Sequence, residues 1–287
     1  ILDGVGLGNK DEGDAVHLAN TPHLDSLMKR SWGKLQAHGI AVGLPSDGDM
    51  GNSEVGHNAM GAGRVFDQGA KLVNEAISSG DIWSSDTWKQ SLQSNTLHII
   101  GLFSDGNVHS HIDHLFAIIR RAKKEGKESI RLHLLTDGRD VSPRSALEYL
   151  SLLNKCIKEV GGDIKIAMGG GRMHLTMDRS EADWNMVKRG FDCHVFGKGR
   201  VFTSAREAIE TLYDENPNLD DQWLPEFVIE GYEGMQDGDA VIFINFRGDR
   251  AVEISRAFEE KHFDAFDRGN FPNIYFAGMM EYDGDIK

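Results

Sequence analysis

The chain has 287 residues, 40% of them hydrophobic and 26% charged, with a formal net charge of -14. That length allows one large or two ordinary domains. The acidity argues against general nucleic-acid binding, which depends on basic patches, and no apolar run is long enough to span a bilayer. The two cysteines, Cys156 and Cys193, provide no disulfide framework.

The first residues, Ile1-Leu2-Asp3-Gly4, read as the tail of a strand with a carboxylate at its end. Such an aspartate is a natural metal ligand and also an ordinary cap. Gly4, Gly6 and Gly8 follow in a spacing that is not the dinucleotide-binding Gly-x-Gly-x-x-Gly. The chain starts without Met and ends soon after an apparent strand, so it reads as a segment of a longer protein. There is no signal-peptide pattern, and with few cysteines a cytoplasmic setting is expected. Residues 1–75 are rich in glycine and short elements, and a boundary is placed near residue 75. Within them, Asp49–Arg64 gathers Gly51, Gly56, Gly61 and Gly63 around Ser53. The segment reads either as a nucleophile on a closely approachable turn or as a flexible glycine-rich turn. It is neither a Gly-x-Ser-x-Gly elbow nor a Walker A loop.

From residue 97 onward strands and helices alternate, which favours a mostly parallel sheet covered by helices. Apolar runs predict strands at 97–103, 130–135, 164–168, 240–245 and 273–277. Helical spacing predicts a helix capped by Asp113, a second starting at Pro143 and ending at Gly161, and a third near 250–260. Cys156 falls on the apolar face of the second.

Polar clusters follow four of these strands. They are Ser104–His111, Thr136–Asp140, Gly169–Arg172 with Asp178-Arg179, and Phe246–Arg250. The carboxyl edge of an open α/β sheet is where ligands bind. Arg139, Arg172, Arg179, Arg247 and Arg250 would converge there, and guanidinium forks match carboxylate and phosphate oxygens. The expected ligand is therefore small and multiply anionic. His109, His111 and His114 have spacing suited to a metal, but a helix starting at Asp113 turns His114 away. A single ring, His109, touching a phosphate or carboxylate is the preferred reading.

Together these motifs resemble the cofactor-independent phosphoglycerate mutases of the alkaline phosphatase superfamily. The matching stretches are Leu2-Asp3-Gly4, Gly51–His57, Asn107–His111, Asp137–Asp140, Gly171-Arg172 with Met177–Arg179, and Asn245–Arg250. The resemblance is nearest the plant and trypanosomatid branch. It implies an α/β fold: part of an alkaline-phosphatase-like domain in residues 1–75, and an inserted substrate (transferase) domain with a mostly parallel sheet in residues 76–287. The second half of the phosphatase domain would follow residue 287. The implied activity is interconversion of 3-phosphoglycerate and 2-phosphoglycerate through a phosphoserine. It uses two divalent metals, manganese first with cobalt or magnesium as alternatives, and no 2,3-bisphosphoglycerate. Carried over by position, Ser53 is the nucleophile, and Asp3 and Ser53 are ligands of one metal. His109, Arg139, Asp140, Arg172, Arg179, Arg247 and Arg250 hold the substrate. Arg172 and Arg179 are one residue further apart than in many bacterial members, which implies a different path for the loop between them. The expected partner is the small-molecule substrate alone, bound by a monomer without nucleic acid or membrane. The alternatives are another phosphatase or phosphomutase of the superfamily, and a non-catalytic phosphoglycerate-binding fragment.

Overall fold

The computed structural model describes Leu2 and residues 5–282, so the strand end read at Asp3 lies outside the described residues. The chain divides into two compact units, residues 1–66 and 67–287. The division precedes residue 75, which lies inside a helix, Gly69–Ser79.

The smaller unit holds three helices, α1 (Ala15–Leu18), α2 (Pro22–Met28) and α3 (Ser53–Ala62), with a 3-10 turn at Gly39–Val42. Its buried apolar cluster is only Val42, Leu44 and Val55. Much of Asp49–Arg64, read from sequence as a turn, is α3. Asn52 caps it by accepting from the Val55 amide, and Gly63 ends it in the left-handed conformation. Local capping thus overrides the glycine content.

The larger unit is a three-layer α/β/α structure. It opens with α4 (Gly69–Ser79), α5 (Asp81–Ser84) and α6 (Asp86–Leu92). Then come β1 (Thr96–Phe103), α7 (Ile112–Lys124), β2 (Ser129–Thr136), α8 (Ala146–Val160) and β3 (Asp163–Gly171). They are followed by α9 (Trp184–Phe196), β4 (Arg200–Phe202), α10 (Ala205–Glu215) and β5 (Phe227–Ile229). The last elements are β6 (Ala240–Phe243), α11 (Val252–Glu259) and β7 (Tyr275–Gly278). The sheet order is β4-β5-β3-β2-β1-β6-β7. β3, β2, β1, β6 and β7 are parallel, and β5 runs antiparallel to β3. Residues alternate between faces. Leu97 and Ile99 of β1 pack under α7, α8 and α10, whereas Ile100 and Leu102 pack under α9 and α11. Cys156 is buried in the first of these layers.

Several boundaries differ from the sequence reading. Gly169–Gly171, which lie beyond the strand predicted at 164–168, continue β3 and pair with Leu134, Leu135 and Thr136. Side chains there would strike neighbours: a Cβ on Gly171 would lie 2.3 Å from the Gln222 carbonyl oxygen. α7 is capped by His111, whose Nδ1 accepts from the Asp113 amide at 3.1 Å. α8 begins at Ala146 rather than Pro143, and Asp221, far along the chain, accepts from the amides of Ser145 and Ala146 at 2.7 and 2.8 Å. Strands β4 and β5, three residues each, carry too little periodicity to be seen in the sequence.

Leu153 of α8 is fully buried in the larger core. Leu153→Ala should destabilise the chain by about 2–5 kcal/mol through lost transfer energy and a residual cavity. Urea unfolding measures this, and a change under about 0.5 kcal/mol would contradict the packing described.

Candidate anion site

β1, β2, β3 and β6 run parallel and end at one edge of the sheet, and each passes directly into a polar cluster there. The organising group is Asp137, just beyond β2. It is buried, and it accepts from Ser104 Oγ at 2.6 Å, from the amides of Arg139 and Asp140 at 3.2 and 3.1 Å, and from Arg172 Nη1 at 2.8 Å. An aspartate that binds amides two and three residues on makes a tight local turn. Gly138 completes it with φ +64, and a Cβ there would lie 2.8 Å from Asp221 Cβ. Arg172 is 1% exposed and also donates to Asp140. Its Nε is buried with no acceptor among the described residues.

His109 sits beneath this turn, 2% exposed, with its carbonyl accepting from the Phe246 amide at 2.7 Å. Its Nδ1 lies 3.4 Å from Asp249 Oδ1 without hydrogen-bond alignment. Burial first, then the charges of Arg172, Arg247, Arg250 and Arg179, push the ring's pKa well below its ordinary value. His109 is therefore neutral, and Asp249 is not enough to charge it. Asp249 also lies 3.3 Å from Arg247 Nε and 3.7 Å from Arg179 Nη1. Arg250 is buried and donates to the Met177 carbonyl at 2.6 Å. Burial, then Arg172 and Arg179, with Arg139 also contributing, lower its pKa to about 10. Each of the five arginines thus acts on His109, on Arg250 or on both. Arg172 and Arg250 are buried, Arg247 and Asp140 half-buried, and Arg139 and Arg179 exposed.

The loop bearing Arg179 is unusual. Thr176, Ser180 and Glu181 all have positive φ, at 69, 60 and 54°. Asp178 accepts from the Asp183 amide at 2.6 Å, and Glu253 of α11 accepts from the Glu181 amide at 2.8 Å. Glu253 Oε2 is buried without a donor among the described residues. Burial, opposed by the Glu181 amide and reinforced by the nearby Asp178 carboxyl, raises its pKa to about 7.

Ser53 is described within its own unit. It is the exposed first residue of α3, and its Oγ lies 3.2 Å from His57 Nδ1. That nitrogen is also 2.7 Å from the Ser53 carbonyl oxygen. To bond the carbonyl it must carry the proton, so it has no lone pair there to take the hydroxyl's. Among the described residues no three His, Cys, Asp or Glu side chains could hold a metal ion. His111 caps α7, while His114 turns into the protein and lies 2.6 Å from Asn74 Oδ1 through Nε2. The donor set described does not itself make a divalent-metal centre.

Asp137, Asp249, Ser104 and Glu253 were not among the site residues read from sequence. The first three fall in the polar clusters after strands, and an aspartate directly beyond a strand and before Gly-Arg was an available turn signal for Asp137. Glu253 had none, because the residue it supports lies in a distant loop.

A mostly parallel sheet with helices on both faces and arginine-bearing loops at its carboxyl edge defines an open-sheet α/β protein. Residues 73–284 match the family model described as BPG-independent PGAM N-terminus (iPGM_N), and the chain belongs to that family. It is 55% identical to a probable 2,3-bisphosphoglycerate-independent phosphoglycerate mutase of Leptospira interrogans, over all of this chain and 55% of that protein. It is 50% identical to the Trypanosoma brucei brucei 2,3-bisphosphoglycerate-independent phosphoglycerate mutase, again over all of this chain and 55% of that protein. The Zea mays protein of that name is 49% identical, over all of this chain and 54% of that protein. A crystal structure of Leishmania mexicana phosphoglycerate mutase at low cobalt concentration superposes with a TM-score of 0.95 at 47% identity, covering all of this chain and 55% of that one. The chain spans about half the length of the curated relatives it matches.

Glu253 yields a stability prediction. Its folded pKa lies above the ordinary 4.5, so folding takes up a proton in the window from about 4.5 to about 7. Its contribution is fully retained at low pH and declines as pH rises through that window. Glu253→Gln should remove this dependence, gaining on the wild type by up to ~3 kcal/mol between pH 5 and pH 8. Denaturant unfolding at both pH values measures it; parallel behaviour of the two proteins would overturn the assignment.

Proposed function

We propose that the protein interconverts 3-phosphoglycerate and 2-phosphoglycerate through a phosphoserine at Ser53, the arginine cluster holding the phosphoglycerate. The observation that carries this reading is the gathering of Arg172, Arg179, Arg247 and Arg250 in the loops at one sheet edge, where Asp249 lies 3.3 Å from Arg247 Nε, 3.7 Å from Arg179 Nη1 and 3.4 Å from Nδ1 of buried His109. A ligand with both a carboxylate and a phosphate supplies negative charge where these guanidinium groups repel one another. Arg172 Nε, buried without an acceptor, suits an oxygen of such a ligand. Arg139 and Arg179, exposed on their loops, have room to reorient onto it. Asp140, already held by Arg172, accepts from a glycerate hydroxyl. His109, neutral, offers a hydrogen bond rather than a charge.

The assignment of residues 1–75 to a phosphatase-like portion and 76–287 to the substrate portion belongs to the same proposal. Ser53 opens a ten-residue helix, and the partial positive charge of a helix N-terminus favours a phosphoryl group there. In the tautomer that donates to the Ser53 carbonyl, His57 does not serve as its base. The family resemblance brings two divalent ions, manganese first, with Asp3 and Ser53 among their ligands. Asp3 lies outside the described residues and one hydroxyl completes no site, so no step is assigned to a metal. A second reading, phosphoglycerate binding without turnover, is favoured by one observation: every residue of the arginine cluster lies in the unit 67–287. Titrating 3-phosphoglycerate with and without manganese separates the two. Metal-independent binding without turnover selects the second reading.

Ser53→Ala should abolish phosphoryl transfer in any form of the protein that turns over, while leaving 3-phosphoglycerate binding within about threefold; unchanged turnover removes Ser53 from the reaction. Arg247→Ala should weaken 3-phosphoglycerate binding by about 1.5–3 kcal/mol, the range for a hydrogen bond to a charged group. Calorimetric titration reads this directly, and an unaltered dissociation constant contradicts the role given to Arg247. Because His109 is already neutral, affinity should not fall as pH rises from 6 to 8. A fall that persists in Glu253→Gln would mark the ring as a cation in the free protein.

A further inference from the structure

Three histidines lie buried on the α9 face of the sheet, outside the arginine cluster. His98 on β1 is 1% exposed, His133 on β2 is 1% and His194 on α9 is 0%. Their rings form an unbroken series. Asp239 Oδ2 lies 3.1 Å from His98 Nε2, and His98 Nδ1 lies 2.9 Å from His133 Nε2. His133 Nδ1 lies 3.1 Å from His194 Nδ1, and His194 Nε2 lies 2.9 Å from Thr176 Oγ1. The series begins beside the first residue of β6 and ends on the loop that carries Arg179.

Its proton order follows from one end. Asp239 already accepts from the Gln236 and Thr96 amides at 2.8 and 2.9 Å, so it serves as a carboxylate acceptor. His98 must then donate from Nε2, which leaves its Nδ1 as acceptor. His133 donates from Nε2 to that nitrogen and accepts on Nδ1. His194 donates from Nδ1 and accepts on Nε2. Thr176 is left as the donor at the far end. With one proton on each ring, no second arrangement satisfies every contact while Asp239 is charged. Burial pushes the pKa of all three rings down, that of His194 to about 3. For Asp239 burial is outweighed by His98 and the backbone amides, which hold it below its ordinary value. These directions agree with three neutral rings and one carboxylate.

Thr176 is the place where such a series has an effect. A β-branched residue is a genuine outlier at φ 69°. The surroundings hold it there: its amide donates to the Met186 carbonyl at 3.1 Å, and a Cβ on Gly190 would lie 2.1 Å from its Oγ1. The next residue, Met177, supplies the carbonyl that accepts from Arg250, and Asp178-Arg179 follow. The hydroxyl of Thr176 is thus one residue from the anchor of one arginine and three from another.

We propose that Asp239, His98, His133 and His194 are positioning residues: a hydrogen-bond series of fixed polarity that locks Thr176 in its left-handed conformation and so sets Arg250 and Arg179 for the anion. Its effect on binding rests on the reading of the arginine cluster as a phosphoglycerate site. Its internal order does not, because the series is complete without ligand.

Long-range proton–nitrogen NMR of the full chain tests the order. His98 and His133 should be neutral with the proton on Nε2, and His194 neutral with the proton on Nδ1, unchanged between pH 6 and 8. An imidazolium, or the opposite tautomer at any of the three, overturns the proposal. Thr176→Val removes the terminal donor. It should shift the Arg250 Nε signal and raise the dissociation constant for 3-phosphoglycerate roughly fivefold, the worth of about one hydrogen bond. Thr176→Ser should return both to near wild type. An unmoved Arg250 signal in a folded Thr176→Val protein overturns the positioning role, and so does Thr176→Ser behaving like the valine variant. If wild type binds no 3-phosphoglycerate, the proposed function fails. The tautomer pattern and the Arg250 signal still decide this inference.

Discussion

Guanidinium groups repel one another, and the site brings five of them to one sheet edge. At an effective dielectric near 20, two like charges about 8 Å apart repel by on the order of 2 kcal/mol. Folding meets that cost with carboxylates placed between the cations. Asp137 and Asp140 hold Arg172, and Asp249 lies between His109, Arg179 and Arg247. Asp137 matters most, since Arg172 is almost wholly buried and a buried cation without its partner is strongly destabilising. The compensation is incomplete. Burial is the main cause of the lowered pKa of both His109 and Arg250, and the neighbouring arginine charges push in the same direction. That residual field is what an anionic ligand would relieve.

The sheet explains why these residues meet. Five parallel strands direct four chain segments to one edge, and the register fixes their order, with Thr136 of β2 opposite Phe103 of β1 and Gly171 of β3. The helical layer of α9 and α11 then fastens the loop that carries Arg179. Glu253 of α11 holds the Glu181 amide, and His194 of α9 meets Thr176. The residues that fasten this loop therefore come from the one helical layer that α9 and α11 share.

Much of this was readable in the sequence. Apolar runs locate five strands because fully buried parallel strands lack competing signals, and the clusters after them fall where an open sheet binds ligands. What was hidden depends on distant contacts. Asp221 caps α8 from far along the chain, and Gly169, Gly170 and Gly171 extend β3 where Phe227, Leu175 and Gln222 respectively approach too closely for side chains. Ser53 looked like a loop residue because glycine count masked the Asn52 cap. Asp137 and Asp249 were overlooked beside their arginine neighbours, although they decide how many positive charges one edge tolerates.

The most direct measurement is a crystal structure of the chain with 3-phosphoglycerate bound. Ligand oxygens should lie within hydrogen-bond distance of the guanidinium groups of Arg172, Arg247 and Arg250, with the ligand beside His109. A ligand seated elsewhere, or one touching only a single arginine, would contradict a shared anion site.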